Sequence, residues 1–77
     1  MNRFAAFHVD LDEDGVIRST VTLAEWCEVE KVGRQTAYQL LRAGLLPAHK
    51  KNPTKRRSPL LVTPAEHREY RRRISQL

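Results

Sequence analysis

Two Thr-x-x-Glu boxes, Thr22-Leu23-Ala24-Glu25 and Thr63-Pro64-Ala65-Glu66, punctuate the sequence and set where two helices begin. In such a box the threonine hydroxyl accepts an early backbone N–H and the glutamate reaches back to the N–H of the cap. Proline at the first helical position reinforces the second box. Between them lies a stop signal: Gly44 suits a left-handed C-terminal cap, and Pro47 stands where no helix continues. The spacing therefore predicts a first helix from Thr22, a break at Lys31-Val32-Gly33 with Gly33 at the turn, and a second helix from about Arg34 to Ala43. Two short helices joined by a glycine-containing turn form a helix-turn-helix pattern.

The segments around these helices have strand character. Phe7, Val9 and Leu11 alternate with His8, Asp10 and Asp12, Asp14-Gly15 marks a turn, and Val16 to Val21 can return as the partner strand. Further on, Ala48 to Val62 reads as two short extended pieces around an Asn52-Pro53-Thr54 turn, with Pro59 suited to a strand start or edge. Lys50, Lys51, Lys55, Arg56 and Arg57 gather around that turn, so the expected product is a β-hairpin wing with a basic tip. Such a tip suits phosphates or the minor groove. The predicted class is α+β: a winged helix-turn-helix of about three helices, a basic β-hairpin wing and an N-terminal β-hairpin. Residues 1–21 form the N-terminal extension and residues 22–77 the DNA-binding domain.

Charge placement says more than total charge. Residues 1–30 hold two basic and seven acidic side chains, a net −5, whereas residues 31–77 hold twelve basic and two acidic, a net +10. A basic segment of that density points to a polyanion, with nucleic acid ahead of an anionic membrane. No apolar run approaches the ~20 residues that span a bilayer. The opening apolar patch is cut off by Asp10, too early for a signal peptide. The expectation is a soluble, cytoplasmic protein with no membrane partner.

The second helix separates into two faces. Ala37, Leu40 and Leu41 share one side, Gln35, Gln39 and Arg42 the other, with Tyr38 at the rim and Arg34 and Thr36 at the start. Glutamine can bond adenine N6/N7 bidentately, and arginine can bond guanine O6/N7 or a phosphate, so Arg34, Gln35, Thr36, Tyr38, Gln39 and Arg42 form the candidate base-reading set for a major groove. Any exposed helix face also carries such residues, so this face gains meaning only beside the basic hairpin. The last helix sets His67, Tyr70, Ile74 and Leu77 in an apolar stripe. Arg68, Arg71, Arg72 and Arg73 surround it, available to phosphate or to a protein partner, and a Glu69–Arg73 pair is expected to support the helix.

Catalytic and metal chemistry find little support. Asp10-x-Asp12-x-Asp14-Gly15 matches the first half of an EF-hand loop, but Arg18 and Val21 occupy ligand positions of the second half. Cys27 is the single cysteine, on the buried side of the first helix with Leu23 and Trp26. His8, His49 and His67 fall on separate segments, and no phosphate loop, nucleophile elbow or His-Glu-x-x-His is present. No enzyme activity, cofactor or metal is expected.

Thr22-Leu23-Ala24-Glu25-Trp26, followed by Thr36-Ala37-Tyr38-Gln39-Leu40-Leu41-Arg42-Ala43-Gly44-Leu45-Leu46-Pro47, resembles small phage excisionases and the MerR-like winged-helix superfamily. The resemblance covers about residues 21–75 and implies an accessory protein without catalysis of its own. Such a protein binds attachment-site DNA head-to-tail with further copies of itself, bends the duplex and directs a phage integrase toward excision. It places the major-groove contacts on Gln35 and Gln39 and the wing contact within Lys55 to Arg57, and implies an integrase contact on the Arg-rich last helix. The N-terminal hairpin has no counterpart in the compact members and is expected to pair with the wing or with a neighbouring protomer. A MerR-like or AlpA-type transcriptional regulator would use the same fold, and a non-catalytic protein-interaction adaptor is the alternative from another class.

Overall fold

Both boxes form as written in the computed structural model, which describes residues 9–77. The elements run β1 (Val21–Thr22), α1 (Leu23–Glu30), α2 (Arg34–Arg42), β2 (His49–Lys50), β3 (Leu60–Val62) and α3 (Pro64–Ile74). Thr22 Oγ1 accepts the Glu25 N–H at 3.2 Å and Glu25 accepts the Thr22 N–H at 2.9 Å; Thr63 and Glu66 repeat the exchange at 3.1 and 2.9 Å. Each box satisfies two of the backbone N–H groups that a helix start leaves unpaired.

The turn between α1 and α2 does not use Gly33 as expected. Lys31 takes the left-handed conformation, φ 58° and ψ 43°, and its N–H closes on the Cys27 carbonyl. Gly33 has an ordinary φ of −76° as the N-cap of α2. At the other end of α2, Gly44 does adopt a positive φ of 76°. The Gly44 N–H donates to the Leu41 carbonyl at 3.1 Å and the Leu45 N–H to that of Leu40 at 3.0 Å, a Schellman closure.

The strands form one antiparallel sheet in the order β1-β3-β2, pairing Val21 with Val62 and Lys50 with Leu60. Pro59 stands just outside the central strand, where its carbonyl accepts the Lys51 N–H at 2.8 Å. Three helices on a small three-stranded sheet make an α+β fold compatible with a winged helix.

Trp26 sits at the core centre with no exposed surface, edge-on to Tyr70 (ring centroids 5.0 Å apart, planes at 86°) and to His67 (5.9 Å, 75°). Such pairs add about 0.5–1.5 kcal/mol each beyond area burial. Ile17, Val21, Leu23, Cys27, Ala37, Leu46 and Val62 complete the buried cluster.

Among the described residues, the N-terminal hairpin is a short antiparallel turn, with the Arg18 N–H donating to the Asp10 carbonyl at 3.0 Å. Leu11 and Ile17 form one isolated bridge, and the Asp12 N–H donates to the Val16 carbonyl at 2.8 Å. Val21, expected on the returning strand, belongs instead to β1 and pairs with β3. Leu11 is exposed, while Val16 and Ile17 are buried. Phe7 and His8 lie outside the described residues. Leu77, expected in the apolar stripe of α3, is 87% exposed, one turn beyond where that helix meets the core.

Candidate nucleic-acid interface

The two faces of α2 separate as the wheel requires. Ala37 is fully buried, and Leu40 and Leu41 pack half-buried against the core. Arg34, Gln35, Thr36, Tyr38, Gln39 and Arg42 are exposed. Arg34 lies close enough to α1 to act on the Cys27 thiol, where burial raises the pKa more than the guanidinium lowers it. A thiol held in its protonated form is a packing residue.

The β2–β3 connection is ordered by its own polar groups. Asn52 Oδ1 accepts the Thr54 N–H (3.1 Å) and hydroxyl (2.7 Å), the Lys55 N–H donates to the Asn52 carbonyl (3.0 Å), and Ser58 Oγ accepts the Asn52 N–H (2.6 Å). Lys50, Lys51, Lys55, Arg56 and Arg57 are exposed around this framework. The hairpin base abuts α2: Pro59 and Leu60 line a common cleft with Arg34 and Tyr38. At the other side of the base, His49 Nδ1 lies 3.0 Å from both carboxylate oxygens of Glu66 on α3.

The arginines of α3, expected to be available to phosphate or partner, are engaged within the chain. Arg68 pairs with Asp12, and Arg71 bonds Glu30 Oε2 at 2.8 Å and the Asp14 and Gly15 carbonyls at 2.6 and 3.2 Å. Arg72 and Arg73 both bond Glu69, pulling its carboxyl down to about 2, and Arg73 also donates to the Gly44 carbonyl at 2.7 Å. The expected Glu69–Arg73 pair is among these. Asp12, read above as half of an unfinished calcium loop, instead accepts the Asp14 and Val16 N–H groups at 2.8 and 3.0 Å. The Val16 N–H leads the forces that hold its carboxyl below the usual range.

By contrast, Arg34, Arg42, Lys50, Lys51, Lys55, Arg56 and Arg57 have no carboxylate oxygen within 4.0 Å among the described residues. The paired arginines thus belong to α3, whereas the unpaired cations among the described residues, Arg18 and Lys31 aside, belong to α2 and the hairpin.

Sequence reasoning missed the buried polar centre. His67 Nδ1 accepts the Ile17 N–H at 3.2 Å, which leaves Nε2 to donate to Glu30 Oε2 at 2.5 Å. Burial lowers the His67 pKa against the opposing pull of Glu30. Burial also raises Glu30, but bonds from Arg71 and His67 outweigh it, and its carboxyl stays below the ordinary value. The partners stand 37 to 50 residues apart, beyond any local pattern.

Over 44 residues, 57% of the chain, the sequence is 46% identical to a protein named excisionase from Shigella phage SfV. An excisionase from Salmonella phage P22 is likewise 46% identical over 44 residues. The matched stretch covers 30% of the first relative and 38% of the second, so it spans about a third of the length of the curated relatives it matches. No family model matches the chain, and no solved structure matches it. No helix among the described residues is long and apolar enough to cross a membrane.

Proposed function

We propose that this chain is a DNA-binding accessory protein of phage site-specific recombination, an excisionase of MerR-like winged-helix type without catalysis of its own. The observation that carries the DNA reading is this set of unpaired cations. Seven lysines and arginines of α2 and the hairpin are exposed with no carboxylate in reach among the described residues, while the four arginines of α3 are each paired within the chain. The two phage relatives supply the recombination context. In this reading α2 enters the major groove, where Gln35, Gln39 and Arg42 meet base edges beside Thr36. The 51–59 loop acts as the wing, with Lys50, Lys51, Lys55, Arg56 and Arg57 on phosphates or in the minor groove.

One domain of this size buries only about 600–1,000 Å² on DNA, so tight binding calls for several copies on repeated sites. Asp12 and Glu30 already face arginines of their own chain. A head-to-tail contact between copies therefore falls to the exposed acids Asp10, Glu13, Asp14 and Glu28.

The test is a gel-shift titration on the attachment-site DNA of the source genome, with random duplex as competitor. A ladder of cooperative bands with bent-DNA mobility, followed by stimulated excision in an integrase assay, is the expected result. A single complex at a promoter would assign the protein to AlpA-type transcriptional regulation. No specific shift at moderate salt would overturn the DNA reading and favour a protein-interaction adaptor.

A further inference from the structure

A cleft of about 170 Å³ runs between α2 and the base of the hairpin, floored by the start of α1 and lined by Thr22, Leu23, Ala24, Arg34, Tyr38, Pro59 and Leu60. It is well below the roughly 300–1,000 Å³ of a pocket for a whole small molecule. One unit of a longer ligand fits that scale better. Arg34 and Tyr38 stand four residues apart and so share one side of α2. Among the described residues, neither the Arg34 guanidinium nor the Tyr38 hydroxyl has a partner in the ion pairs or side-chain hydrogen bonds that bind the fold together, and Tyr38 is 47% exposed while Trp26 and Tyr70 are buried. The cleft therefore combines a cation, a hydroxyl donor and apolar walls, which is the chemistry complementary to a phosphate attached to a sugar.

Its position fits the same ligand. In a duplex, one sugar–phosphate strand separates each major groove from the adjoining minor groove. With α2 in the first and the 51–59 loop in the second, that strand has to pass between α2 and the hairpin base, where this cleft lies. We infer that the cleft seats a single deoxyribose-phosphate of the dividing strand, with Arg34 and Tyr38 on the phosphate and Leu23, Ala24, Pro59 and Leu60 against the sugar. The inference rests on the DNA-binding reading above and refines it. Arg34 and Tyr38 leave the base-reading set and become the contacts that fix how deeply α2 enters the groove, as backbone contacts do.

The experiment uses a duplex selected by the full chain from a random-sequence pool, carrying one neutral methylphosphonate linkage at a time along both strands. Wild-type protein is expected to lose about tenfold in affinity when the seated phosphate is neutralised, the scale of one charge-assisted hydrogen bond. Arg34→Ala and Tyr38→Phe are each expected to bind the unmodified duplex less tightly and to lose sensitivity at that one linkage, keeping it elsewhere. Both side chains are exposed, so each variant is expected to fold, which circular dichroism checks. Selection of a sequence with no linkage at which the variants and the neutralisation fail to add would overturn the cleft assignment and leave the DNA reading standing. Coupling to a base change instead of a linkage would do the same. Failure to select any sequence would overturn both.

Discussion

A glutamine amide carries no charge, so its contribution on DNA comes from direction: an acceptor and two donors in one plane. Gln35→Ala or Gln39→Ala is accordingly expected to cost about 1–3 kcal/mol on a selected site and little on random duplex. Equal losses on both, measured by competition gel shift, would mean that α2 does not read bases. His67 supports a different prediction, since burial depresses its pKa below the ordinary 6.5. Below pH 6.5 the unfolded chain takes up a proton that the folded chain resists, so stability falls with pH by up to about 1.4 kcal/mol per unit from this group. Glu30 is also depressed, from 4.5, and its contribution is lost only as pH falls below that value. Melting temperature is therefore expected to drop between pH 7.5 and 5.5. His67→Gln should be less stable at pH 7.5 but show a flatter profile over that interval. A profile as steep as that of the parent would sink the assignment.

At the scale of elements, the C-terminal ends of α1 and α2 hold opposite kinds of residue in the same backbone state. Gly44 takes φ 76° without a Cβ penalty, whereas Lys31 takes φ 58° with one. Lys31→Gly is expected to raise stability by about 0.5–1 kcal/mol and Gly44→Ala to lower it by a similar amount. Urea denaturation of the two variants checks both, and a destabilised Lys31→Gly would show that the lysine side chain holds the turn. The contrast also marks what was legible in the sequence. Capping boxes, the Gly44 closure and the exposed face of α2 are written within a few residues of one another, and these appear as expected. Lys31 carried no signal, because left-handed lysine is uncommon and Gly33 stood two positions away as the better candidate. The N-terminal alternation suggested a hairpin, and the described residues hold its turn, with a Leu11–Ile17 bridge and Asp12 bonded across it, while β3 takes Val21 as its neighbour. The basic hairpin tip was legible as composition, but its cleft with α2 depends on how two distant segments pack.

Across the whole molecule, fourteen lysines and arginines do not act as one pool. A cation already bonded to a carboxylate displaces few counterions when DNA arrives, since its charge is locally balanced. An unpaired one that meets a phosphate contributes about 0.9 to the slope of log affinity against log salt. Arg56 is exposed and unpaired among the described residues, while Arg68, also exposed, is held by Asp12. Arg56→Ala is therefore expected to weaken binding to selected and random duplex alike and to reduce the salt slope by about one, measured between roughly 50 and 200 mM salt. Arg68→Ala should leave the slope unchanged and cost about 0–1 kcal/mol of stability, as for other exposed pairs. The same titration on both variants separates two arrangements of the complex. If Arg68→Ala lowers the slope as much as Arg56→Ala does, α3 gives up its internal pair on binding and DNA contacts both sides of the molecule. If only Arg56→Ala lowers it, the Asp12 pair has withdrawn Arg68 from the duplex, and the hairpin supplies a cationic contact that α3 does not.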